Sequence, residues 1–119
     1  MADKSSPTRF LPLATLDYQV LTLVATRQLH GYGLIQASAD LFPGQPPLDV
    51  GTLYRIISRM LDQRLIREVK APDDAPEDKR VRRYYLATEL GRDVARAEAA
   101  RLRALLASQP TIELLGARR

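Results

Sequence analysis

Apolar residues recur at helical spacing in four stretches of this chain and alternate with charge in two others, and the order of those periods predicts the architecture. Leu16, Val20, Leu23 and Val24, widened by Leu21, predict a nearly buried helix over residues 15–29. The two glycines of His30-Gly31-Tyr32-Gly33 suit a tight corner, and Tyr32, Leu34, Ile35 and Ala39 predict a second helix to about residue 41. Phe42-Pro43-Gly44-Gln45-Pro46-Pro47 is a loop, because the paired prolines stop a helix from crossing it. A third helix follows over 49–61, with Leu53, Ile57, Met60 and Leu61 as its buried stripe and Asp49 as N-cap. Thr52, Arg55 and Arg59 then face outward. Two arginines on a wet face fit a solvated helix as well as a helix presented to a phosphate-lined groove.

Period two replaces the helical period over 66–70, where Ile66-Arg67-Glu68-Val69-Lys70 reads as a half-buried strand. A loop over 71–78 carries two prolines and the acids Asp73, Asp74, Glu77 and Asp78. The sign then flips. Lys79 to Leu86 reads as the returning strand, with Val81, Arg83 and Tyr85 on one face and Arg80, Arg82, Tyr84 and Leu86 on the other. Thr88 caps a last helix running to about residue 108, on which Ala95, Ala99, Leu102 and Leu106 form a strip flanked by Leu105. Arg92, Arg96, Glu98, Arg101 and Arg103 cover its other sides. Such a helix spans ~27 Å, too long for so small a domain to cover, so half of the strip is expected to need a partner. Residues 111–119 add at most a short turn and a basic tail.

Composition narrows the function classes. With 119 residues and 45% hydrophobic content the chain closes one core, and its net charge of +4 favours a nucleic-acid partner. There is no cysteine and a single histidine, which leaves no thiolate or multi-histidine metal site, and no cofactor is expected. His30, at a helix end, reads as a C-terminal cap or packed core residue rather than a catalyst. No apolar run reaches the length of a membrane span, and residues 1–8 lack the apolar centre of a secretory signal, so a cytoplasmic protein without membrane contact is expected. No glycine-rich phosphate loop or pair of acids on one face supports an enzyme.

Three helices followed by a hairpin is the order of a winged helix-turn-helix. The expected fold is therefore mainly α with a small β-hairpin, divided into a disordered arm (1–9), a winged DNA-binding domain (10–87) and a C-terminal dimerisation helix and tail (88–119). His30-Gly31-Tyr32, Gly51-Thr52-Leu53-Tyr54, the turn over 61–66, and Arg82-Arg83-Tyr84-Tyr85 followed by Thr88-x-x-Gly91 together resemble the PadR family of bacterial transcriptional regulators. The similarity covers about residues 13–106. It implies a homodimeric repressor on a palindromic operator in double-stranded DNA, the C-terminal helix of each subunit packed on the other. Carried over by motif, Thr52 and Tyr54 lie at or near the DNA backbone and Leu53 lies in the core. Helical position adds Arg55 and Arg59 as base or phosphate contacts, and Arg80, Arg82 and Arg83 fall on the wing arm.

Two departures from the family pattern bear on these expectations. Asp49 stands where a small polar residue is common, and its carboxylate must turn inward as a cap to avoid repelling phosphate. The acidic wing tip should point away from DNA, or else salt-bridge to the basic arm behind it. A winged domain used only for protein contacts is the rival function. A small-molecule effector is compatible with the resemblance, but without tryptophan and with two phenylalanines an aromatic drug pocket at the dimer interface has little support.

Overall fold

The structure, a computed structural model, describes residues 6–77 and 82–116. A 3-10 turn at Pro7–Phe10 leads into α1 (Thr15–Thr26), β1 (Leu29–His30), α2 (Gly31–Leu41), α3 (Val50–Asp62), β2 (Ile66–Val69), β3 (Tyr84–Ala87), α4 (Glu89–Leu106) and α5 (Gln109–Gly116). Helix α1 is the hub. Its Val20, Leu21 and Val24 are fully buried, and it touches α2, α3, β3 and α4.

The hairpin expected from the sequence is a three-stranded antiparallel sheet, ordered β1-β3-β2. Leu29 and His30 do not continue α1 but pair with Tyr85 and Tyr84, while Val69 and Glu68 pair with the same two tyrosines from the other side. A two-residue strand has no period to read, which is why it hid inside the helical pattern. Because β3 is central, Tyr84, Tyr85 and Ala87 are all buried, and the alternation assigned to residues 79–86 fails there. The strand begins at Tyr84; Arg82 and Arg83 precede it. Asp78, Lys79, Arg80 and Val81 lie outside the described residues, as do residues 1–5 of the arm.

His30 caps the helix after it rather than the one before. Its Nδ1 accepts a hydrogen bond from the Gly33 amide at 3.0 Å, occupying one of the four amides that a helix start leaves without an intrahelical partner. The ring is buried and meets Tyr84 edge-on at 5.2 Å between centroids. Tyr32, placed by its spacing on the apolar side of α2, is instead 57% exposed.

The turn from α3 into β2 closes as a Schellman motif, with Leu65 N–H donating to the Met60 carbonyl at 2.9 Å and Arg64 N–H to Leu61 at 3.1 Å. Arg64 takes the left-handed position, φ 61°, that glycine usually fills. Helix α4 is docked onto this turn. Thr88 donates its amide to the Leu65 carbonyl and its hydroxyl to the Arg64 carbonyl at 2.7 Å, and accepts from the Gly91 amide at 3.0 Å as N-cap. The spacing Thr88-x-x-Gly91 is thus a joint between the α3–β2 turn and the long helix.

Glu98 is not a surface residue of α4, as its charged neighbours suggested, but is 1% exposed. Its Oε2 accepts from the Leu13 amide at 2.8 Å and from Arg101 Nη2 at 3.1 Å, so it straps the N-terminal segment to α4. The Arg101 hydrogen bond, assisted by the Leu13 amide and by the arginine's charge, holds the carboxyl below the usual glutamate range against the opposing effect of burial. A depressed folded pKa contributes stability that is complete above the unfolded value of about 4.3 and is lost as pH falls through the folded one. Wild type should therefore lose thermal stability on acidification more steeply than Glu98→Gln, whose amide does not titrate. Melting curves between neutral and strongly acidic pH check this, and parallel losses in the two proteins would assign the acid sensitivity elsewhere.

Candidate nucleic-acid interface

Helix α3 forms because Leu53, Ile56, Ile57 and Met60 bury one side while the chain before it is held open by prolines. Ile56 joins the stripe expected from the sequence, and Leu61 is only half-buried at its edge. The start is fixed by Asp49, whose Oδ1 accepts from the Thr52 amide at 2.8 Å and whose Oδ2 accepts from the Thr52 hydroxyl at 3.0 Å. Those bonds, the backbone one foremost, lower the Asp49 pKa. The carboxylate is turned into the cap.

Thr52 passes the constraint outward. Its hydroxyl accepts from Arg55 Nη2 at 3.2 Å, so Asp49, Thr52 and Arg55 form a chain that aims the guanidinium along the exposed face. Arg59, one turn later, is exposed but ion-paired to Asp17 of α1. An exposed pair of this kind is worth ~0–1 kcal/mol and is readily exchanged for a phosphate. Tyr54 is 51% exposed, and its hydroxyl lies over Gly31, where an added Cβ would come within 2.6 Å of it. Gly31 of the His-Gly-Tyr motif thus leaves room for Tyr54 of the Gly-Thr-Leu-Tyr motif.

The root of the wing reaches the same face. Arg82 stands 5.9 Å from the Tyr32 ring centroid and places Nη1 3.5 Å from His30 Nδ1. Arg83 is exposed beside it, and the pKa of Tyr85 is raised chiefly by burial and then by Glu68. Neither arginine is ion-paired to an acid among the described residues. Of the expected DNA-contacting residues, Thr52, Tyr54, Arg55, Arg59, Arg82 and Arg83 lie on or beside this surface, and Arg80 is outside the described residues. Tyr32 and Ser58 join it without having been singled out; the His-Gly-Tyr motif was the available signal for the first.

The expected dimerisation strip divides. Ala95 is buried in the chain's own core, Ala99 and Leu102 are half-buried, and Leu106 is 60% exposed beside exposed Leu105. The tail is not one short turn. After Ser108, α5 adds two turns with Ile112, Leu114 and Leu115 exposed, extending the apolar surface beyond α4.

An outward-facing third helix, a sheet-forming wing and a projecting terminal helix define a winged helix-turn-helix regulator. The chain belongs to the PadR-like family of transcriptional regulators, whose model matches residues 20–97. It is a regulator of transcription and not an enzyme. Similar solved structures include a PadR family transcriptional regulator from Eggerthella lenta, 27% identical with TM-score 0.63, covering 87% of this chain and 84% of that one. A PadR-like regulator from Bacillus cereus is 21% identical with TM-score 0.65, covering 87% and 93%. A PadR family regulator from Clostridium difficile, also at 21% and 0.65, covers 77% and 91%. No curated protein sequence matches the chain. Among the described residues no helix is long and apolar enough to cross a membrane.

Proposed function

We propose that the protein is a cytoplasmic, sequence-specific DNA-binding repressor that acts as a homodimer on a palindromic operator. The observation that carries the reading is the outer face of α3, where Arg55 is aimed by a capped hydroxyl chain and lies on the same surface as Tyr54, Arg59, Arg82 and Arg83. Arginine is the side chain that forks onto guanine edges and phosphates, and the nearby acids are engaged: Asp49 caps the helix and Asp17 holds Arg59. The family resemblance supports repression, since a dimer seated on a promoter obstructs its use. The exposed leucines of α4 and α5 support the homodimer.

The test is fluorescence anisotropy on DNA flanking the protein's own gene, across a salt series. Arg55→Ala should weaken operator binding by ~1–3 kcal/mol if this residue reads a base, with the fold intact. The pair Arg82→Ala and Arg83→Ala should flatten the slope of log affinity against log salt by about one unit per lost phosphate contact. Affinity without salt dependence in wild type, or no binding at low salt, would favour a winged domain used for protein contacts.

A further inference from the structure

A recess of about 580 Å³ opens between the start of α2, the outer side of α3 and the root of the wing. That volume falls within the ~300–1,000 Å³ usual for small-molecule sites. We infer that this recess binds a free phosphorylated, flat-ringed small molecule of the mononucleotide class, and that its occupancy excludes DNA from the same face. The second half of the inference rests on the DNA-binding reading; the first does not.

Charge selects an anion. Arg82 and Arg83 line the recess with no carboxylate paired to either among the described residues, and forked guanidinium groups match phosphate oxygens. Ring chemistry selects the rest of the ligand. Tyr32 and Tyr54 both line the recess with about half of each side chain open to solvent, and a phenol face stacks on any flat heterocycle. The Ser58 hydroxyl is exposed at the same wall and is free to bond a sugar or phosphate oxygen. Arg82 joins the two halves of the site. Its guanidinium lies 5.9 Å from the Tyr32 ring centroid and 3.5 Å from His30 Nδ1, so one ligand in the recess can meet the charge and the ring together. Tyr54 and Ser58 also belong to the face of α3 proposed to meet DNA, so a ligand there and a duplex compete for the same atoms.

Full-length protein should be titrated with adenosine monophosphate, inorganic phosphate and adenosine, followed by calorimetry and by tyrosine fluorescence, which no tryptophan obscures. Saturable binding of the monophosphate is expected, about ten-fold or more tighter than either fragment. Tyr32→Leu and Arg82→Ala, both at exposed positions and checked for fold by circular dichroism, should each weaken it by about ten-fold, whereas Arg96→Ala, outside the recess, should not. The monophosphate should also displace labelled duplex. Absence of saturable binding at millimolar monophosphate, or binding indifferent to both recess variants, overturns the inference. Phosphate binding as tightly as the monophosphate would also overturn it, leaving a seat for a DNA phosphate. Duplex binding without monophosphate binding sinks this inference alone, and the reverse sinks the DNA reading together with the competition while leaving the ligand site.

Discussion

Gly91→Ala is expected to lower the melting temperature by ~10 °C or more, or to prevent folding altogether. A Cβ at this position would stand 1.9 Å from the Leu65 carbonyl oxygen and 2.9 Å from its carbon. The obstacle is backbone, and it is pinned. Leu65 is held by the Schellman bond to Met60 and its carbonyl by the Thr88 amide, while the neighbouring Ile66 is paired with Ala87. Ordinary overpacking against movable side chains costs ~1–3 kcal/mol, and here no side chain is available to yield. Relief requires α4 to lift from the turn, breaking the Thr88 cap and the strap from Glu98 to Leu13. Against a total stability of ~5–15 kcal/mol that loss is large. Gly116→Ala is the control, since nothing lies within 4 Å of a Cβ there. A melting temperature within ~2 °C of wild type for Gly91→Ala would show that the joint is looser than its geometry implies.

That joint also marks where the sequence was legible. Caps are local chemistry, so Asp49 and Thr88 could be assigned from the residues that follow them, and both hold their amides as expected. Long stripes were legible for the same reason: α1, α3 and α4 each repeat their apolar spacing over three turns or more. What escaped depends on partners distant in sequence. Leu29 and His30 became a strand because β3 lies beside them, and no period within two residues announces that. Glu98 sits among arginines like a solvated charge, and only the Leu13 amide, 85 residues away, explains its burial. The candidate DNA surface was legible in its residues but not in its wiring. Nothing in the spacing says that Arg59 meets Asp17, or that Tyr54 comes to rest over Gly31.

Leu106→Asp combined with Leu115→Asp is expected to convert a dimer into a folded monomer and to weaken operator binding by about 100-fold or more, although both substitutions lie outside α3. Helix α4 buries Gly91, Val94, Ala95 and Glu98 in its first three turns and nothing in its last two. Beyond that point Leu105, Leu106, Ile112, Leu114 and Leu115 are each more than half exposed, Leu114 to 75%. Five large apolar side chains left exposed on the end of α4 and on α5 are what an interaction surface would cover. Full burial of each leucine is worth about 1.5–3 kcal/mol, so two-fold pairing of these helices gains enough to hold a dimer. Ala95 and Leu102 are poor places to test this, since the first is in the monomer core and the second is half-buried, and a charge at either would damage the subunit itself. Leu106 and Leu115 are exposed, so aspartates there should leave the helical circular dichroism of the monomer unchanged. A two-fold dimer would set its α3 helices about 34–36 Å apart for half-sites one turn apart, and each half-site alone would bind weakly. Light scattering and anisotropy on the same samples decide the matter. A wild type that is monomeric at micromolar concentration, or a doubly substituted chain that holds a palindromic site as tightly as wild type, would mean that these helices do not join two copies and that one subunit reads its DNA alone.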